Sequence, residues 1–303
     1  MADGKRNADG PVGMSEIAER TEMLLPGPAV ALGALLDVPV PDLDNGAGLP
    51  LLWHWIYLLD RPAQADLGPD GHPVRGTVPA PPGPGRRRMW AGGRVRASGK
   101  LQCGSLATKR TSVVRAQDKQ GRSGQLTFVV VRHQISQQGR VVIDEEQDIV
   151  YRDPASSAGA GQSPAPADTG PRIPPGDGER AIEVSPTLLF RFSALTYNAH
   201  RIHYDRDYAR DVEGYPGLLT HGPLQAVAMA EAARAAARRG DEDPGDLLFD
   251  YRLTAPLFDH QGMVAGATRE RDTIVTAVRD IYGRPTAKGR LTRKPQAVDR
   301  LRR

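Results

Sequence analysis

His221-Gly-Pro-Leu-Gln-Ala-Val-Ala-Met-Ala-Glu-Ala-Ala-Arg-Ala-Ala-Ala-Arg238 reads as one long helix that carries almost no bulk. Pro223 stands at its start, where a missing N–H costs nothing, and Leu224, Val227, Ala228, Glu231 and Ala235 recur at helical spacing over Gly222 to Arg238. Its wall of small residues, among them Ala226, Ala228, Ala230 and Ala233, suits a helix enclosed closely on several sides, as when a curved sheet wraps round it.

The chain just before this helix has equally plain local grammar. Ser185-Pro186 is an N-cap followed by proline at the first helical position, so a helix is expected from Pro186 to about Leu195 with Leu188, Leu189 and Phe192 on one face. Tyr197 to Ile202 lacks helical periodicity and reads as a loop, and Asp205 is placed to cap a short helix through Tyr208. Three of the seven histidines, His200, His203 and His221, fall in this stretch. After the long helix come strands near Leu247 to Leu253, Met263 to Arg271 and Ile274 to Tyr282.

The same order is visible earlier in the chain. Ser15 to Met23 and Pro28 to Leu36 read as short helices, and the nearly all-apolar run Leu49 to Asp60 as a buried helix. A Pro- and Gly-rich loop from Arg61 to Gly85 follows, long enough to cover a binding groove. Period-two segments then run near Arg87 to Arg96, Ser105 to Ala116, Gln125 to Ile135 and Arg140 to Tyr151, with turns at Asp118 to Gly121 and Ser136 to Gly139. A sheet of three to five strands must bury one face, and each half offers one long helix for it. The expected fold is therefore α+β, a double hot-dog made of two tandem antiparallel sheets, each wrapped round a helix and joined edge to edge. The expected boundaries are a disordered N-terminus over 1–13, an N-terminal non-catalytic hot-dog domain over 14–153 and a low-complexity linker over 154–184. A catalytic hot-dog domain over 185–283 and a basic tail over 284–303 complete the division.

Composition narrows the class. No run approaches the eighteen or so apolar residues that span a bilayer, so no membrane segment is expected, and the N-terminus has no apolar core of a signal peptide. Cytoplasmic residence is the default expectation. Cys103 is the one cysteine, read as a packed strand residue, so no intramolecular disulfide forms and a multi-thiolate zinc site is excluded. The formal charge of +4 is carried by the end of the chain: residues 284–303 hold eight Lys or Arg against one Asp, leaving three net negative charges on the rest. No nucleic-acid reader motif accompanies the basic end, and no nucleic acid is expected as a partner.

Leu188 to Asp205, containing Thr196-Tyr-Asn-Ala-His-Arg-Ile-His-Tyr-Asp205, together with His221-Gly-Pro223, resembles the type 2 3-hydroxyacyl-thioester dehydratases of the MaoC-like hydratase superfamily, mesaconyl-CoA hydratases among them. The resemblance extends to Trp53-His-Trp55, Arg87-Arg-Met-Trp-Ala-Gly-Gly93, Tyr251-Arg252 and Pro256-Leu-Phe-Asp259. It implies reversible hydration of a 2-enoyl thioester in fatty or related acyl metabolism, with no metal or redox cofactor. It implies an acyl-CoA or acyl carrier protein thioester as the partner, and leaves a homodimer open. By the resemblance, the histidine that ends the active-site loop is His203, the hydrogen-bonding residue five positions earlier is Asn198, and the N–H facing the thioester oxygen is that of Gly222. The wider superfamily usually has Asp where this chain has Asn198.

Adding water to an enoyl thioester needs a base for the water, a proton for C2 and donors for the charge that grows on the thioester oxygen. His203 titrates in the right range for the proton work, whereas Asn198 holds water but cannot take its proton. Gly222 at a helix start offers an unpaired N–H and close approach. Arg201 is a candidate clamp for an acyl carboxylate, Trp90 and His221 candidate substrate contacts, and Arg87 and Arg88 candidate partners of coenzyme A phosphates. Each has a plainer structural reading: His203 and His221 as packed rings, Asn198 as a turn former, Trp90 as core and the arginines as solvated charge. A thioesterase on the same fold and a non-catalytic acyl-binding subunit are the competing functions.

Overall fold

The computed structural model describes residues 17–75, 77–79, 86–121, 124–152, 170–237 and 246–293. The N-terminal half contributes β1 (Ile17–Met23), β2 (Arg87–Ala97), β3 (Leu106–Gly121), β4 (Gly124–Gln137) and β5 (Arg140–Arg152). The C-terminal half contributes β6 (Glu179–Ile182), β7 (Leu247–Leu253), β8 (Met263–Glu270), β9 (Thr273–Arg279) and β10 (Pro285–Arg293). All join one antiparallel sheet in the order β1-β3-β4-β5-β2-β7-β10-β9-β8-β6. From the β2–β7 seam outward the halves run β2-β5-β4-β3 and β7-β10-β9-β8, the same order in each, and β1 and β6 close the two edges. This is the double hot-dog arrangement expected from the pattern.

Local chemistry sets the register. Between β4 and β5, Gln138 (φ 52°) and Gly139 (φ 74°) are both left-handed, the turn that matches the twist of a tight hairpin. At the seam, Gly92 and Gly93 pair with Arg252 and Tyr251. A Cβ on Gly92 would stand 2.4 Å from the Tyr251 carbonyl oxygen, and one on Gly93 2.5 Å from that of Glu146. Glycine at these two positions lets β2 lie this close to β7 on one side and β5 on the other.

Among the described residues three α-helices accompany the sheet: α1 (Pro26–Leu36), α2 (Pro186–Leu195) and α3 (Gly222–Ala236). Helix α3 lies against β8, β9 and β10, with Leu224, Ala226, Met229 and Ala233 fully or almost fully buried. The N-terminal half differs. The helix expected over Leu49 to Asp60 is a single 3-10 turn, Trp53–Ile56, flanked by Leu52 (φ 69°) and Leu58 (φ 52°). Two left-handed residues break helical continuation, and the run is apolar because it is buried as a folded loop. Its Trp53 Nε1–H donates to Glu231 Oε1 of α3 at 2.8 Å, tying the loop of one half to the helix of the other.

Other expectations need correction. The segment read as a helix from Ser15 to Met23 is strand β1 over its described part, paired with β3 from Ile17↔Ser112 to Met23↔Leu106. Its side chains alternate between exposed and half-buried, the mark of an edge strand. Asp118 to Gly121 lies inside β3, not in a turn, and Cys103 lies in the connection between β2 and β3. The linker expected over 154–184 contains β6. Much of the expected basic tail is β10, inserted between β7 and β9. The inward residues of β10 are small, Thr286, Ala287 and Gly289, because a Cβ on Gly289 would already meet Phe249 at 2.9 Å. Its outward Lys288 and Arg290 therefore dominate its composition. Residues 1–16, 153–169 and 294–303, on which the expected disordered start, most of the linker and the rest of the tail fall, lie outside the described residues.

Candidate active site

The site is built on the end of α2. Ser185 Oγ accepts the Leu188 N–H at 3.2 Å, capping the helix as its sequence predicts. Thr196 Oγ1–H donates back to Phe192 O at 2.7 Å, and Tyr197 (φ 52°) turns the chain out of the helix. Asn198 N–H donates to Ser193 O at 2.8 Å, while its Oδ1 accepts the His200 N–H at 3.0 Å. The loop then tightens into a 3-10 turn over Arg201–His203, and Asp205 Oδ1 accepts the Tyr208 N–H at 3.0 Å, the cap expected of it.

His203 is 7% exposed and lines a cavity of ≈ 1290 Å³. Its Nδ1–H donates to Leu219 O at 2.7 Å, which fixes the tautomer and leaves Nε2 unprotonated. Burial lowers its pKa to about 4 against the raising effect of the Leu219 bond, and the charge of His72 lowers it further. At neutral pH it is a neutral base. Behind it the His221 ring stacks at 3.7 Å and 20°, and His221 Nε2 is 2.8 Å from Ser193 Oγ. His221 is 0% exposed, so it backs the His203 ring instead of meeting substrate. Gly222 opens α3 and lines the cavity, and a Cβ there would meet Leu253 Cδ1 at 2.2 Å. Its N–H belongs to the first turn, which has no acceptor within the helix.

The remaining sequence candidates divide. Arg201 does not line the cavity: its Nε and Nη2 bind Asp205 Oδ2 at 3.0 and 2.7 Å, Nη1 donates to Pro69 O at 3.0 Å, and the guanidinium lies 4.1 Å from the Tyr208 ring. It braces the loop and is no clamp for substrate. Arg87 lines the cavity but is paired with Glu213, Nε to Oε2 at 2.8 Å. Trp90 also lines it and donates from Nε1–H to Tyr251 OH at 3.0 Å. Arg88 lines it without an ion pair or hydrogen bond among the described residues, and its positive charge acts on His72 and His200.

Residues that the sequence reading passed over complete the walls. Asp70 and His72, from the long loop of the N-terminal half, meet the Tyr197 to His203 loop: the His72 and His200 rings are 3.9 Å apart, and His200 and His203 5.4 Å. Donor atoms of Asp70, His72 and His200 lie within 4.8 Å of one another. Deeper in the cavity, buried Glu145 accepts the Trp55 Nε1–H at 2.9 Å and Gln147 Nε2–H at 2.7 Å, with His54 Nε2 at 2.9 Å. Burial opposes its charge, yet the His54 and Gln147 hydrogen bonds and nearby imidazole charge hold its pKa at about 2. Period-two burial of β5 places Glu145 and Gln147 inward, but nothing in their own neighbourhood announced a cavity there.

Residues 52–259 match the family model described as hydroxyacyl-thioester dehydratase type 2. The chain is 46% identical over 233 residues, 76% of its length and 79% of the relative's, to a mesaconyl-C(4)-CoA hydratase of Chloroflexus aurantiacus. It is 38% identical over 77 residues, a quarter of each chain, to a mitochondrial hydroxyacyl-thioester dehydratase type 2 of Schizosaccharomyces pombe. Among solved structures, a MaoC-like dehydratase from Phytophthora capsici superposes with a TM-score of 0.68 at 14% identity over 96% of this chain and 99% of the other. A Mycobacterium tuberculosis protein described as a double hotdog fold gives 0.53 at 16% identity over 92% and 95% of the two chains.

Proposed function

This chain belongs to the hydroxyacyl-thioester dehydratase type 2 family, and from that premise we propose that it reversibly hydrates a 2-enoyl coenzyme A thioester whose acyl group carries a carboxylate. The observation that carries the hydration chemistry is the His203 ring, locked with Nε2 unprotonated beside the N-terminus of α3. Water held there loses a proton to Nε2 as its oxygen bonds to C3. The electron pair moves toward C2 and the thioester oxygen, where the Gly222 N–H and the positive end of α3 stabilise the charge. The imidazolium then returns the proton to C2. Asn198 spends its Oδ1 on the His200 N–H and presents its amide hydrogens to the water or the nascent hydroxyl.

Two features support the acyl class. Arg88 is a cavity guanidinium with no partner among the described residues, and His133, Glu145 and Gln147 give the inner wall a polar character unsuited to a plain hydrocarbon chain. The relative named as a mesaconyl-C(4)-CoA hydratase points the same way.

Incubation with crotonyl-CoA and with mesaconyl-C(4)-CoA tests both parts. Loss of enoyl absorbance without free thiol is expected for each, faster at low concentration with the dicarboxylic substrate. Release of thiol would make the protein a thioesterase, and no change with tight binding a carrier. Arg88→Ala should raise KM for the dicarboxylic thioester about tenfold, the scale of one lost charged hydrogen bond, and leave crotonyl-CoA nearly unaffected.

A further inference from the structure

We propose that His72, its ring held by Asp70, is a second catalytic imidazole, supplied by the N-terminal half to accept a hydrogen bond from the water that His203 deprotonates. This rests on the hydratase reading above.

The chemistry leaves a vacancy on the far side of the water. One acceptor, His203 Nε2, takes the reacting proton, and the second hydrogen needs an acceptor to fix the direction of attack. Asn198 is poorly suited, since its one acceptor atom already receives the His200 N–H. His72 is built for the task. Its Nδ1 lies 3.2 Å from Asp70 Oδ2, and its backbone N–H donates to Asp70 Oδ1 at 3.0 Å, so the carboxylate holds both the ring and the loop that bears it. With Nδ1–H directed at Asp70, Nε2 remains an acceptor. The arrangement repeats that of His203, whose Nδ1–H is anchored on Leu219 O. Both rings line one cavity, with His200 in contact with each at 3.9 and 5.4 Å.

The placement is rigid. Gly71 is left-handed at φ 87°, and a Cβ on it would fall 1.9 Å from the Ala199 carbonyl oxygen, so the two loops touch backbone to backbone. The Arg201 N–H donates to Asp70 O at 2.8 Å, and the Arg201 side chain reaches Pro69 O. Burial, assisted by the charge of Arg88, lowers the His72 pKa against the effect of Asp70 and keeps the ring neutral at pH 7. Burial works against the Asp70 carboxylate as well, but the His72 bonds and charge leave its pKa below the ordinary value. In the step itself, one water proton passes to His203 and on to C2, while the other stays on oxygen and donates to His72 Nε2. Both imidazoles end neutral, and the oxygen becomes the 3-hydroxyl.

The test compares wild type, His72→Ala, His72→Phe, which keeps a ring against His200 without nitrogens, and each of these combined with Asn198→Asp, which places a carboxylate acceptor on the other side of the water. Turnover is followed on crotonyl-CoA together with the melting temperature. If wild type hydrates nothing, the functional reading fails; if it hydrates, the variants judge His72 alone. The expected result is a fall in kcat of roughly tenfold to hundredfold for both single variants, less than or equal to the loss of a full general base, with KM within about threefold. Asn198→Asp should recover most of that loss. Near-wild-type kcat in either folded single variant overturns the proposal. So does a loss that Asn198→Asp leaves unrecovered, which would make His72 a support for the loop.

Discussion

The two halves of this molecule share a strand order and differ in what the sheet faces. In the C-terminal half α3 fills the concave side and brings Gly222 to the site; in the N-terminal half the matching space is open, and Val131, Ile149 and Tyr151 line the cavity. At ≈ 1290 Å³ the cavity exceeds the usual ~300–1,000 Å³ of a small-ligand pocket, room for an acyl group and part of a coenzyme arm. A doubled sheet thus acquires an open chamber by leaving out one helix, and the half without it is free to carry polar groups that a packed interior would exclude.

That contrast can be broken in three ways. The largest effect should come from His203→Ala, which removes the proposed base from the helix-filled half: hydration should fall by at least about a hundredfold with the fold intact, measured as kcat on purified protein with its circular dichroism. Near-full turnover would move the chemistry to the other half. Next, adding bulk should be felt unequally. Ala226→Leu sets three more carbons than the native methyl against the sheet wrapped round α3, where Ala226 is 0% exposed, and should cost about 1–3 kcal/mol in urea unfolding. Val131→Leu extends into the open chamber and should cost less while altering preference among acyl groups. Equal costs per added carbon would mean that the two interiors are packed alike. The smallest effect concerns pH. Since the free imidazole of His203 exists above its pKa of about 4, the acid limb of kcat/KM should lie well below the 6.5 of an ordinary histidine. In Asn198→Asp a neighbouring carboxylate favours the protonated ring, so the limb should move upward. An unchanged profile would place position 198 too far from His203 to act on it.

What the sequence disclosed follows from the range of the forces involved. Ser185, Asp205 and the Ala-rich α3 declare themselves through caps and periodicity, because their partners lie within a turn or two. The loop Tyr197 to Ile202 was legible for the same reason. Leu49 to Asp60 misled because burial, and not helix, makes a run apolar. Strand β10 was hidden because close packing allows it only small inward residues. Asp70 and His72 were invisible as site residues, since their neighbours His200 and Arg201 lie some 130 positions away and only the tertiary fold, with Gly71 against Ala199 and Arg201 N–H on Asp70 O, brings them together. Arg201 and His221 carried the right charge and ring for a substrate contact, but Asp205 and Ser193 claim them.

The position of β10 also orders events during synthesis. Strand β7 pairs with β2 on one side and with β10 on the other, and β10 in turn joins β7 to β9. On a ribosome the first half can assemble β1 to β5 while the open edge of β2 stands without its neighbour for roughly a hundred further residues of translation. The second half cannot close until residues up to Arg293 have emerged, and until then β7 and β9 have a gap between them. Both open edges are templates for wrong pairing between nascent chains. Expression at lower temperature, or with a chaperone that covers strand edges, should therefore raise the soluble yield of the intact chain more than any substitution in the finished core.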